Sequence, residues 1–100
     1  DSGLKSLLSL PAAEVNVKTH FRKNDGTVTC NALVSNDSDV PALMIRLNLK
    51  GTDGEQILPA FYSDNYFHLM PGESRTVEIS YRAEDARGVR PVLETSWLND

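Results

Sequence analysis

Apolar and polar residues alternate with a period of two along nearly the whole chain. Val15, Val17, Thr19 and Phe21 fall on one face of a stretch whose other face carries Asn16, Lys18, His20 and Arg22. Val28, Cys30, Ala32 and Val34 repeat the pattern. Next come Leu43, Ile45, Leu47 and Leu49, set against Met44, Arg46, Asn48 and Lys50. Val77, Ile79 and Tyr81 share a face further on, as do Leu93, Thr95 and Trp97. Successive side chains of a β-strand point to opposite faces, so this alternation predicts strands with one buried and one wet face. Only the opening Leu4–Leu10 offers helical spacing, and weakly.

The turn residues agree with that reading. Asn24-Asp25-Gly26 supplies the positive φ that a tight hairpin needs between the first two strands. Gly51-Thr52-Asp53-Gly54 closes the third strand, and Asn36-Asp37-Ser38-Asp39 with Pro41 reads as a polar loop. Pro71-Gly72 suits the central positions of a type II turn, where proline fixes the first φ and glycine tolerates the second. About seven short strands, with turns every 8–12 residues, predict an all-β fold, an antiparallel sandwich of immunoglobulin-like type. Residues 10–100 form that domain and residues 1–9 a linker segment. The expected core contains Val17, Phe21, Val34, Ile45, Leu47, Val77, Ile79, Tyr81 and Trp97.

Composition then removes several classes of function. A chain of 100 residues, 40% hydrophobic and 24% charged, has the length and balance of one globular domain able to bury a core without staples. Its net charge of −4 argues against a nucleic-acid partner, which is met by clustered basic surface. No apolar run approaches the ~20 residues that span a bilayer, so no membrane partner is expected. Cys30 is the single cysteine, which excludes an internal disulfide and fits a small buried thiol. The opening segment lacks a basic start and a cleavage region. The absence of an initiator methionine suggests a piece of something longer, with its compartment unreadable.

Candidate chemistry is sparse. His20 and His68 have no second ligand at a metal-binding spacing. Asp37 and Asp39 lack the glycine and distal glutamate of a calcium loop. Asn36-Asp37-Ser38 is an N-glycosylation sequon, meaningful in a secreting eukaryote. Glu84 and Asp85 are adjacent, so on a strand they would point apart. No nucleophile elbow or phosphate loop is present. Neither a catalytic residue, a metal site nor a cofactor is therefore expected.

The most unusual stretch is Phe61–Ser74, FYSDNYFHLMPGES. Rings stack on sugar faces while polar tips hold hydroxyls, which makes Tyr62, Asp64, Asn65 and Tyr66 the candidate carbohydrate-binding residues. The competing reading is a packed connection. Phe61 and Phe67 would then anchor it inward, while Asp64 and Asn65 would make the bend by accepting backbone hydrogen bonds.

The same stretch carries a resemblance. Ile57–Phe67, with its YSDNYF run, followed by Leu69–Val77, with its L-x-P-G-E-S run, resembles the C-terminal immunoglobulin-like domain of family 2 glycoside hydrolases. It is nearest the exo-β-glucosaminidase and β-mannosidase-like branch. Leu10-Pro11 with Val15-Asn16-Val17 resembles the segment leading into that domain, so the likeness runs from about Ser9 to Asn99; the YSDNYF run is its more specific half.

The resemblance implies a retaining glycosidase as parent, secreted or periplasmic, whose two catalytic glutamates stand on a (β/α)8 barrel. Glu14, Glu55, Glu73, Glu78, Glu84 and Glu94 match none of that family's catalytic motifs. The chain itself is thus expected to be a non-catalytic accessory domain, with the other domains of the parent as its partners. The alternatives are a carbohydrate-binding module using Tyr62 and Tyr66 on a polysaccharide or oligosaccharide, and an unrelated interaction or adhesion sandwich.

Overall fold

A computed structural model describes residues 10–100. The linker and the weak helical signal expected within residues 1–9 lie outside the described residues. Seven strands follow in order: β1 (Val15–Asn24), β2 (Thr27–Asn36), β3 (Ala42–Gly51), β4 (Ala60–Tyr62), β5 (Phe67–Leu69), β6 (Ser74–Arg82) and β7 (Pro91–Ser96). A 3₁₀ turn, Ala83–Ala86, joins the last two. They form two antiparallel sheets, ordered β1-β2-β6-β4 and β5-β3-β7, which face each other across one core. This is the all-β, immunoglobulin-like sandwich that the alternation predicts.

Turn chemistry sets the register. Asn24 pairs with Thr27, leaving Asp25 and Gly26 as a two-residue loop with φ of 51° and 80°. Two successive positive φ values define a hairpin turn whose twist matches that of the strands. Across β2 and β6, Cys30 faces Ile79 and Ala32 faces Val77. At the far end, Gly72 sits at φ 76° and the Glu73 amide donates to the Met70 carbonyl at 3.0 Å, closing the expected type II turn.

The inward faces meet as the pattern requires. Val34, Ile45, Leu47, Val77 and Ile79 are fully buried, and Tyr81 nearly so. Val17, Phe21 and Trp97 are partly buried and pack against this cluster; the Trp97 indole N–H donates to the Ala13 carbonyl at 3.0 Å. Burying such side chains contributes on the order of 25 cal/mol per Å² of apolar surface.

Two expectations fail for local reasons. Leu43 does not join the core of β3, because a bulge lies between Ala42 and Ile45. Met44 takes φ 53° there, and Ala42 occupies the inward place instead. Phe61 is no inward anchor. It pairs with Ser80 on the outer face of its sheet and is 69% exposed, while its neighbour Tyr62 faces inward opposite Ile79. Glu84 and Asp85 lie in the 3₁₀ turn and not on a strand.

Candidate functional site

The YSDNYF run is where the chain leaves one sheet for the other. Tyr62 ends β4 in the four-stranded sheet, and Phe67 begins β5 in the three-stranded sheet. Residues 63–66 therefore bridge the open side of the sandwich. Such a crossing exposes a difficulty on β3: beyond Ile45, whose partner is Phe67, β5 has not yet begun. The Leu47 and Leu49 backbone groups on that edge have no strand to pair with, and a buried unpaired amide costs about 1–3 kcal/mol.

Side chains of the crossing take the strand's place. The Asn65 Oδ1 accepts the Leu47 N–H at 2.7 Å, and Asn65 Nδ2 donates to the Leu47 carbonyl at 2.9 Å. One carboxamide thus supplies both halves of a β-bridge. The Tyr62 hydroxyl accepts the Leu49 N–H at 2.8 Å, and the Leu49 carbonyl takes the Ile57 N–H at 3.1 Å. Ser63 continues the pairing with the opposite sheet. Its N–H donates to the Glu78 carbonyl and its Oγ accepts the Glu78 N–H, both at 2.8 Å.

The bend itself is made by Asx side chains, as the packed-connection reading requires. Asp64 Oδ1 accepts the Asn65 N–H at 2.9 Å, and Asn65 Oδ1 also accepts the Tyr66 N–H at 3.0 Å. Asp64 Oδ2 pairs with Arg75 Nη1 at 2.6 Å. Arg75 stands at an inward register position opposite Val34, and its guanidinium lies 4.6 Å from the centre of the buried Phe67 ring. An arginine stacked on an aromatic face closes this end of the core while keeping its charge paired.

Of the four candidate sugar-binding residues, three are thereby engaged: Tyr62, Asp64 and Asn65 are half-buried and bonded to the fold. Tyr66 presents its ring to solvent at 58% exposure, with the backbone at φ 56°. The outward-facing Phe61 adds a second exposed ring.

Sequence reasoning missed the two buried asparagines. Asn36, at 1% exposure, donates to the Val40 and Leu69 carbonyls and accepts from the Ser38 N–H and hydroxyl. Both amide protons are committed inside the domain, so the sequon has no side chain to offer in the folded state. Asn99, at 6%, accepts from the Leu43 N–H and donates to the Pro11 and Pro41 carbonyls. Parity could have revealed both, since Asn36 continues the inward series of Val34 and Asn99 that of Trp97. His68 also has a partner, its Nδ1 accepting the Met44 N–H at 2.9 Å where the bulge frees that amide.

Titratable groups serve the framework too. Burial raises the Cys30 thiol to about 11 and pushes the Tyr81 phenol up. The Glu55 N–H and the Arg87 guanidinium hold the Asp53 carboxyl below its usual value. Lys50, with Asn48, does the same for Glu94. The six described glutamates, Glu14, Glu55, Glu73, Glu78, Glu84 and Glu94, are all exposed. Among the described residues no group of three or more His, Cys, Asp or Glu could hold a metal ion, and no helix is long and apolar enough to cross a membrane.

A two-sheet immunoglobulin-like sandwich, tied together by an asparagine-centred crossing, is the class of domain these observations define. Residues 1–99 match the family described as the exo-β-D-glucosaminidase Ig-fold domain, and the chain belongs to that family. It is similar to the exo-β-D-glucosaminidase of Streptomyces avermitilis, 30% identical over 97 residues, which are 97% of this chain and 11% of that protein. The enzyme of the same name from Hypocrea jecorina is 36% identical over 77 residues, covering 73% of this chain and 9% of the relative. The crystal structure of Amycolatopsis orientalis exo-chitosanase CsxA superposes with a TM-score of 0.89 at 30% identity, covering 98% of this chain and 12% of that one. The chain thus spans about a tenth of the length of the relatives it matches.

Proposed function

We propose that this chain is a non-catalytic accessory domain, C-terminal in a family 2 exo-β-glycosidase acting on glucosamine- or mannose-containing chains, which docks on the catalytic domain and stabilises it. The observation that carries this reading is the use made of the YSDNYF run. Tyr62, Ser63, Asp64 and Asn65 are spent on pairing backbone groups and Arg75, and not on an open cleft. Membership of the glucosaminidase Ig-fold family supports a glycosidase parent. The small share of each relative that the chain covers supports further domains as its partners.

The retaining reaction expected of such a parent needs two carboxyl groups about 5 Å apart across the sugar bond. The exposed glutamates here serve turns and surface ion pairs, Glu73 accepting the Met70 N–H and Glu94 pairing with Lys50. The chain by itself should therefore turn over no aryl β-glucosaminide or β-mannoside. Measurable turnover that disappears on replacing one acidic residue would overturn the reading. In the parent, deleting the domain should lower the melting temperature and the yield of active enzyme.

The exposed rings of Tyr66 and Phe61 favour a second reading, a carbohydrate-binding surface. Titrating chitosan and mannan fragments against Tyr62→Ala, Asp64→Ala and Tyr66→Ala separates the two. Loss of glycan affinity at unchanged melting temperature supports the binding module; destabilisation by Tyr62→Ala and Asp64→Ala without any glycan binding supports docking.

A further inference from the structure

Backbone strain and exposed apolar surface coincide at one place in the fold. Four non-glycine residues take a positive φ, and the two apolar ones are Met44 at 53° and Tyr66 at 56°. They directly precede Ile45 and Phe67, the pair that joins β3 to β5. Glycine takes such angles freely, whereas a bulky side chain is strained there. Burial within the domain offsets little of that strain, because both side chains stand exposed.

The two belong to a patch on the outer face of the three-stranded sheet. Arg46 lies between the buried Ile45 and Leu47, and His68 between the buried Phe67 and Leu69, so both point outward. Continuing the register sets Tyr66 opposite Arg46 and Met44 opposite His68, whose Nδ1 accepts the Met44 N–H. Leu98 adjoins on the other side, its N–H bonded to the Leu43 carbonyl, and Met70 directly follows β5. Met44, Tyr66, Met70 and Leu98 are four of the nine large apolar residues that stand exposed among the described residues. Apolar residues gathered this way mark a contact surface, and methionine adapts to irregular ones. The patch also holds a charge to be matched. Among the described residues Arg46 is in no ion pair, and Glu94 on the adjoining β7 is held by Lys50.

We infer that this patch is the docking surface, and that its occupant is a neighbouring domain of the same larger polypeptide, presenting apolar side chains and a carboxylate for Arg46. The inference rests on the accessory-domain reading above and names the face it uses. The chain spans 11–12% of its relatives' length, so most of such a polypeptide lies outside it. An apolar surface around one unmatched cation is complementary to an apolar surface bearing one acid. Two copies of this chain fit poorly, because a twofold pairing through the patch would bring Arg46 toward Arg46 without a carboxylate of the patch between them. A glucosamine polymer is itself cationic and meets the same charge.

The methionines are native reporters of the cover. Hydrogen peroxide oxidises an accessible thioether to the sulfoxide and is reduced to water, and peptide mass spectrometry reads Met44 and Met70 separately. In the native full-length polypeptide carrying this domain, both should oxidise about tenfold more slowly than in the urea-unfolded polypeptide, as for a site that opens only transiently. Tyr66→Gly, which suits the backbone there, should restore fast oxidation of Met44, and so should Arg46→Glu. The buried Cys30 should stay unreactive toward a thiol reagent in both variants, showing the domain still folded. Native rates close to the unfolded ones would overturn the inference while leaving glycosidase activity, and so the accessory-domain reading, intact. Protection that grows with protein concentration, that needs added chitosan oligosaccharide, or that vanishes when Leu4, Leu7 and Leu8 become serine would assign the cover to another occupant and also overturn it. Loss of the accessory reading shows up separately, as a parent without glycosidase activity.

Discussion

The carboxamide of Asn65 holds both ends of the Leu47 peptide, accepting its N–H at 2.7 Å and donating to its carbonyl at 2.9 Å. A side chain thereby stands in for a β-strand at the point where the chain passes between sheets. Asn65→Ala would leave a donor and an acceptor unpaired on β3, at about 1–3 kcal/mol each. Urea unfolding should show a loss of about 2–4 kcal/mol, the largest of any substitution in the crossing. Asn65→Asp should also destabilise, because a carboxylate keeps the bond to the Leu47 N–H and loses the donor to its carbonyl.

Asp64→Ala removes the acceptor for the Asn65 N–H together with the partner of Arg75. Both side chains of the pair are about two-fifths exposed, so solvent screening keeps the ionic part small. A loss of about 1 kcal/mol is expected, largely from the backbone bond. Thermal melts at low and high salt check the division, since an ionic origin would make the effect shrink sharply with added salt.

Tyr62→Phe deletes only the hydroxyl that accepts the Leu49 N–H and should cost about 1 kcal/mol. Tyr66→Ala, at an exposed position, should leave the melt unchanged. Equal and appreciable destabilisation by both would contradict the inward and outward assignment of the two tyrosines.

Asn36 bears no free amide proton in the fold. Folded domain secreted from a eukaryotic host should therefore carry no glycan at the Asn36-Asp37-Ser38 sequon, as intact mass would show. Asn36→Ala should cost several hydrogen bonds at once, about 2–4 kcal/mol.

Titration should shape stability at both ends of the pH scale. The Asp53 and Glu94 carboxyls are depressed in the fold, so their contribution is present above the unfolded values of 3.8 and 4.5 that such groups take. It is lost as pH falls through the lower folded values. Cys30 is raised from 9.0 to about 11, so its contribution is complete below pH 9 and is lost as pH rises toward 11. Chemical denaturation at pH 8 and pH 11 should show a decline that Cys30→Ala reduces.

Period-two alternation, Asp25-Gly26 and Pro71-Gly72 determined the strands and turns, because those signals are local: side-chain parity and permitted φ values need no knowledge of distant partners. The YSDNYF run was legible as a bend for the same reason, since an Asx side chain bonds the backbone just ahead of it. The identity of what Tyr62 and Asn65 hold was not legible. Leu49 and Leu47 lie 13 and 18 residues away along the chain, and only the placement of β3 beside the crossing made them partners. The three-residue β4 was likewise too short to fix its own parity, so its pairing with β6 decided that Tyr62 turns in and Phe61 out. Sequence fixes which groups can bond, and the packing of one sheet over the other decides which of them meet.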